Sequence, residues 1–276
     1  MGTTVVGTPV TLGANVNPRS LAWLALRLAE INAPDIRQST ATGGTTTTLV
    51  DTVGLIQPND HWLGGTLWIL SGGYAGTVKK ITDSALSGNS ITFSALTSAI
   101  SAGVDYVVLG PDVTYANLVM AINQALREIT VEHVDKTLVG VNGTYEYTLP
   151  TDVTRVVGVD FYRSDTLYKS THWSETEEGK IKFDRGYSPC DDDAIWLHYL
   201  ETHGDLETDA EEVEDLLELP VLMQLATEKL MRLLYHRYGG DQKQIPEWLA
   251  DAMAANKERL KVTRRSYGVS VHTSGW

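Results

Sequence analysis

Apolar residues recur at helical spacing in four stretches of the chain, with β-type patterns between them. In NPRSLAWLALRLAEINA (Asn17–Ala33), Leu21, Leu24, Leu28 and Ile31 share one face. Asn17 suits an N-cap, Pro18 the first helical position, and Pro34 the stop. In Pro111–Val131 the stripe is Tyr115, Leu118, Val119, Ile122, Leu126 and Ile129, with Asp112 or Thr114 as the cap. A third helix is predicted from Pro220 to Tyr238 through Leu222, Leu225, Leu230, Leu233 and Leu234, ended by Gly239-Gly240. A fourth runs from Pro246 to about Thr263 through Trp248, Leu249, Ala252 and Leu260. Its basic end, with Lys257, Arg259, Lys261, Arg264 and Arg265, suits a helix C-terminus.

Between the first two helices the pattern shifts to short runs rich in β-branched and aromatic residues, separated by glycine turns. These are TTTTLVDTV, GTLWIL, GTVKKITD, SITFSAL and VDYVVLG, preceded by the polar linker STATGGTTTT. Their spacing predicts a small antiparallel β-barrel or sandwich. A second β region follows the second helix in GTYEYTLP, RVVGVDFYR, GKIKFDRGY and AIWLHYLE. The expected fold is α+β: a helical-bundle core with an inserted β-barrel or sandwich and a second small β-sheet. The expected organisation is residues 1–44 as N-terminal arm and first helix, 45–110 as inserted β-module, 111–265 as core, and 266–276 as tail.

Composition narrows the function. The chain has 276 residues, a net charge of −13 and one cysteine, Cys190. A lone cysteine excludes an internal disulfide framework and suits a reducing cytoplasm. No apolar run approaches the roughly 20 residues that span a bilayer, and MGTTVVGTPVTLG lacks the basic start of a secretory signal. Strong acidity argues against tight binding to nucleic acid, which requires phosphate neutralisation. It is compatible with a surface that DNA slides past.

Candidate chemistry is sparse. In Asn59–Asp83 the glycines Gly72, Gly73 and Gly76 precede Lys79-Lys80, but a phosphate loop needs a helix after it and this run reads as a hairpin. Trp62, Trp68 and Tyr74 suit either a sugar-stacking face or core and turn positions. The seven histidines lack metal-binding spacing, and SPCDDD reads as a solvated turn. Neither a cofactor nor an enzymatic activity is expected. Residues 205–218 hold eight acidic groups and no basic one, which reads as a solvated face or a helix start.

Three stretches together resemble head-to-tail adaptor (connector, or head-completion) proteins of tailed bacteriophages: YANLVMAINQALREIT, YEYTLPTDVTRVVGV and ELPVLMQLATEKLMRLLYHRYGG. The resemblance implies a structural virion protein assembled in the host cytoplasm at the head–tail interface. Such proteins form rings, usually dodecamers, that dock under the portal, extend the DNA channel and present a surface to a tail or neck protein. It implies no membrane partner and no specific DNA binding. Portal contact is expected from the C-terminal segment, with Arg264, Arg265, Tyr267, Val269, Val271 and Trp276; Tyr267, Val269 and Val271 alternate like a strand that adds to a partner's sheet. Glu207, Asp209, Glu211, Glu212 and Glu214 are expected at the channel or at a subunit boundary. The alternatives are another phage neck or baseplate component, or a carbohydrate-binding β-module.

Overall fold

A computed structural model describes residues 17–151, 153–163, 166–215, 217–239 and 245–267. The chain divides into two compact units, residues 1–125 with 205–276, and residues 126–204.

The first unit opens with α1 (Leu21–Asn32), which starts three residues later than Pro18 because Ser20, not Asn17, caps it. The Ser20 hydroxyl accepts from the Trp23 N–H at 3.3 Å. Leu21, Leu24 and Leu28 are buried as expected, but Ile31, at the rim of the face, is exposed. Seven strands follow: β1 (Ile36–Thr40), β2 (Gly43–Gly44), β3 (Thr48–Val50), β4 (Thr66–Ile69), β5 (Val78–Ala85), β6 (Ser90–Phe93) and β7 (Asp105–Leu109). They pair antiparallel in the order β1-β7-β4-β5-β6-β3-β2. A register shift in β5 between Ile81 and Asp83 bends the sheet where β6 joins it.

The sheet folds around its own core of Leu49, Trp62, Leu67, Ile69, Ile81, Ile91, Phe93, Tyr106 and Val108. The edge strands β1 and β2 do not pair, so of the expected barrel or sandwich a closed barrel is not formed. β4 is buried along its whole length. Leu67 and Ile69 enter that core, while Trp68 points to the opposite face and meets Tyr115, ring centroids 4.9 Å apart. Burial on both faces explains why GTLWIL is a continuous apolar run rather than an alternating one.

Tyr115 begins α2 (Tyr115–Leu126), where Thr114 receives the first helical bonds through its carbonyl and hydroxyl. The other two helices are α3 (Leu219–Arg237) and α4 (Glu247–Tyr267). Gly239 follows α3 at φ +80°, the left-handed position expected of a C-terminal glycine. α3 packs on α1, where the Asn32 amide reaches Thr227 at 3.4 Å, and on α4.

The second unit is all β: β8 (Thr130–Val139), β9 (Glu146–Thr148), β10 (Val153–Arg163), β11 (Thr166–Ser170), β12 (Trp173–Thr176), β13 (Lys180–Phe183) and β14 (Ala194–Thr202). They form a four-stranded sheet, β11-β10-β14-β8, and a three-stranded one, β12-β13-β9. Val156, Val159, Phe161, Ile195 and Leu197 of the first pack against Tyr147, Ile181 and Phe183 of the second.

The expectation of a helical-bundle core is therefore corrected. Among the described residues the protein is mostly antiparallel sheet with four α-helices, about 26% helical. The strands β1 and β8 account for part of the difference: the end of β1 (Ser39-Thr40) was expected in the linker, the start of β8 (Thr130-Val131) in the second helix, and neither was expected as a strand. Both are polar edge strands whose weak alternation hides their type.

Candidate functional site

The described residues of the acidic run Asp205–Glu218 form neither a helix nor a freely solvated face; they are a strap over the start of α1. A helix leaves its first N–H groups without internal partners. Here the Leu21 N–H donates to the Glu211 carbonyl at 2.9 Å and the Ala22 N–H to the Asp209 carbonyl at 3.2 Å. The strap is returned by the Val213 N–H, which donates to the Arg19 carbonyl at 3.0 Å. The Arg19 guanidinium donates to the carbonyls of Glu214, of Asp215 at 2.8 Å and of Leu217 at 3.0 Å. At the other end the Asn123 side chain exchanges two hydrogen bonds with the Leu206 main chain, 2.9 and 3.0 Å long. Acidic residues at the positive end of the α1 dipole are electrostatically favoured.

Of the eight acidic residues of the strap, the five expected at a channel or subunit boundary have different surroundings. Asp209 turns inward: one carboxylate oxygen accepts from the Trp68 indole N–H at 2.9 Å and the other from the Tyr115 hydroxyl. Burial, together with this carboxylate, pushes the Tyr115 hydroxyl far above the usual tyrosine range. Glu211 accepts from the backbone N–H groups of Glu207 and Thr208, which hold its carboxyl below the usual range. Glu214 is half-buried, with its carbonyl engaged by Arg19. Glu207 and Glu212 are exposed. The strap thus offers solvent two of the five side chains fully, and Asp209 is a structural acceptor.

The C-terminal candidates lie on a longer helix than expected. Arg264, Arg265 and Tyr267 fall in the last turns of α4, so the alternation from Tyr267 does not begin a strand there. Val269, Val271 and Trp276 lie outside the described residues.

The glycine-rich stretch Asn59–Asp83 is turn and hairpin. Gly64, Gly72 and Gly76 adopt φ of +82°, +76° and +82°, and Lys79 and Lys80 lie on β5, paired with Leu67 and Thr66. Trp62 and Trp68 are 3% and 0% exposed, so they do not form a flat face for a sugar. Tyr74 is tied to the Thr97 and Ser98 hydroxyls at 2.9 and 2.7 Å.

In the second unit, Asp193 of SPCDDD departs from a solvated turn. It is buried, forms a two-pronged pair with the Arg163 guanidinium and accepts from the Cys190 N–H at 2.7 Å. The arginine holds its carboxyl below the usual range. Cys190 is exposed and free of a disulfide. A shallow cleft of about 360 Å³ is lined by Phe161, Arg163, Tyr168, Lys169, His172 and Tyr187. Arg163 is engaged by Asp193, and the His172 ring lies 3.5 Å from the Asp184 carboxylate.

One face of the four-stranded sheet carries a polar and aromatic row. His198 on β14 lies 3.1 Å from Asp160 on β10 and 3.5 Å from Glu132 on β8. Beside it Trp196 is stacked on Tyr162 and covered by the Lys136 ammonium, 3.9 Å from its ring centroid. Sequence reasoning did not single out this row, because its members come from strands far apart in the chain. The period-two pattern of AIWLHYLE was its sole signal. Among the described residues, no group of three or more His, Cys, Asp or Glu side chains is placed to hold a metal ion. No helix is long and apolar enough to cross a membrane among these residues. Compared with protein-family models and with curated proteins, the chain finds no match in either.

Proposed function

We propose that this chain is a structural virion protein whose copies form a ring joining a phage portal to the tail or neck. One observation carries the reading: each of the three stretches behind the adaptor resemblance adopts the element expected of it. YANLVMAINQALREIT contains α2, YEYTLPTDVTRVVGV is the strand–turn–strand β9–β10, and ELPVLMQLATEKLMRLLYHRYGG contains α3 ahead of α4. The sheet-rich body is a departure from the helical core of that family, and the proposal rests on these stretches and their order.

In this reading the acidic balance lets DNA pass without adhering, and Glu207 and Glu212, with the exposed Asp205, Asp215 and Glu218, are available to face a channel or a neighbouring copy. The C-terminal segment from Arg264 onward engages the portal. The ring is assembled in the host cytoplasm and works at the head–tail interface.

The test is the mass of the purified chain alone and after mixing with portal-bearing capsids, with negative-stain imaging of the products. The expected result is a closed ring, formed alone or on the portal. A chain that stays monomeric and does not associate with portal overturns the proposal.

A further inference from the structure

The four strands β11-β10-β14-β8 are each antiparallel to the next. Because their number is even, the edge strands β11 and β8 run in opposite directions. Among the described residues neither has a strand on its outer side. A second sheet laid alongside in the same orientation therefore sets its β11 antiparallel to β8 of the first, and the alternation continues unbroken. Such a contact joins two different surfaces, the arrangement that closes into a ring.

The side chains of the two edges also match. Cross-strand register places Leu167 and Lys169 of β11 on the same face as Tyr162 and Asp160, and through Trp196 and His198 on the same face as Val134 and Glu132 of β8. In an antiparallel pairing that sets Leu167 opposite Val134, Lys169 falls opposite Glu132. On the other face, Tyr168 falls opposite His133, which already stacks on Tyr199. Val134 and Leu167 are large apolar side chains left 43% and 47% exposed, as Val139 of β8 and Tyr168 of β11 also are. Lys169 and Glu132 are exposed charges of opposite sign.

The lengths agree as well. β11 has five residues, and the pairing uses residues 131–135 of β8. Immediately beyond, β8 bulges opposite Ile195–Leu197, and the Thr137 N–H is taken by the Asp135 carboxylate at 2.8 Å. A bulge of this kind ends strand addition.

We propose that neighbouring copies of this chain join by adding β11 of one to β8 of the next, with Leu167 on Val134 and Lys169 on Glu132. The proposal rests on the ring reading and assigns its subunit contact. An opposite-charge pair directly across two strands stabilises the pairing, and a like-charge pair opposes it.

Lys169→Glu and Glu132→Lys are each expected to raise the concentration needed for assembly about tenfold, and the double swap to restore it. Circular dichroism melts of all three variants are expected to coincide with wild type, since both positions are exposed. As a second measurement, Val134→Cys with Leu167→Cys, on a Cys190→Ser background, is expected to cross-link copies into a ladder on oxidation. Single variants that assemble like wild type, a swap that does not restore assembly, or cross-links that stop at a two-fold dimer overturn the inference. Wild-type rings that ignore these changes defeat this contact alone, whereas a wild-type chain that forms no ring defeats the ring reading itself.

Discussion

Asp209→Ala tests whether the acidic strap is held by its side chain or merely lies on the surface. The substitution removes the acceptor of two donors at once, the indole N–H of fully buried Trp68 and the hydroxyl of Tyr115. A buried donor left without a partner costs about 1–3 kcal/mol. Asp209 is itself half-exposed, so water reaches part of the vacated space and the lower half of the range applies. A total of about 3 kcal/mol is expected, which lowers the melting temperature of a unit this size by about 6–12 °C. Asp209→Asn keeps one acceptor oxygen and loses about half as much. Scanning calorimetry is the suitable assay, because a chain with two compact units need not melt in one transition. On a Trp68→Phe background, which removes one donor, Asp209→Ala is expected to cost about 1 kcal/mol less. An Asp209→Ala protein that melts within about 2 °C of wild type refutes the latch.

Two further outcomes follow from the same unit. Tyr115 and Tyr106 both have hydroxyl pKa values raised far above the ordinary 10.0, by burial first and then by the carboxylates of Asp209 and Asp51. The folded chain therefore keeps phenolic protons that the unfolded chain releases, so stability is complete below about pH 10 and falls as pH rises beyond it. Urea midpoints at pH 9 and 11 are expected to show a smaller drop for Tyr115→Phe than for wild type. Gly65→Ala places a Cβ 2.2 Å from the Leu109 carbonyl oxygen, a rigid neighbour on β7, whereas Gly73→Ala meets nothing within 4 Å. The first is expected to cost more than about 2 kcal/mol and the second to melt close to wild type, read by thermal denaturation.

What the sequence made legible follows the strength of its periodicity. The helices α1 to α3 and the strands β4 and β7 announced themselves, because each buries an apolar stripe or a continuous run. The boundaries were softer. Asn17 and Ser20 are both good caps, and the choice between them was made by strap residues about two hundred positions away, which bond the α1 N-terminus. The fold class was misjudged for a related reason. In β8 the side chains at 131, 133 and 135 face one way and those at 132 and 134 the other, but Val, Glu, His, Val and Asp mix polarity on both faces. An edge strand with one weakly buried face carries little pattern, so its first two residues, Thr130 and Val131, read as the end of a helix and the rest of TVEHVDKTLV was assigned no element.

The functional residues were harder still, since pairing over distance has no local trace. Asp209 stands in a run of acids that looks uniform, and its partners lie 141 and 94 residues earlier in the chain. The proposed subunit contact is a stronger case. Leu167 and Lys169 acquire meaning beside Val134 and Glu132 once four strands are placed in order, their faces assigned and their directions counted. A fifth strand would make the two edges parallel in direction, and β11 of a neighbour would then meet β8 in the less stable parallel pairing. The parity of the sheet, rather than any motif, makes these two edges suitable for head-to-tail addition. The bulge after Asp135 opposes indefinite stacking of a unit with two open edges: it limits pairing to five residues, a length marginal for one contact and cumulative around a closed ring.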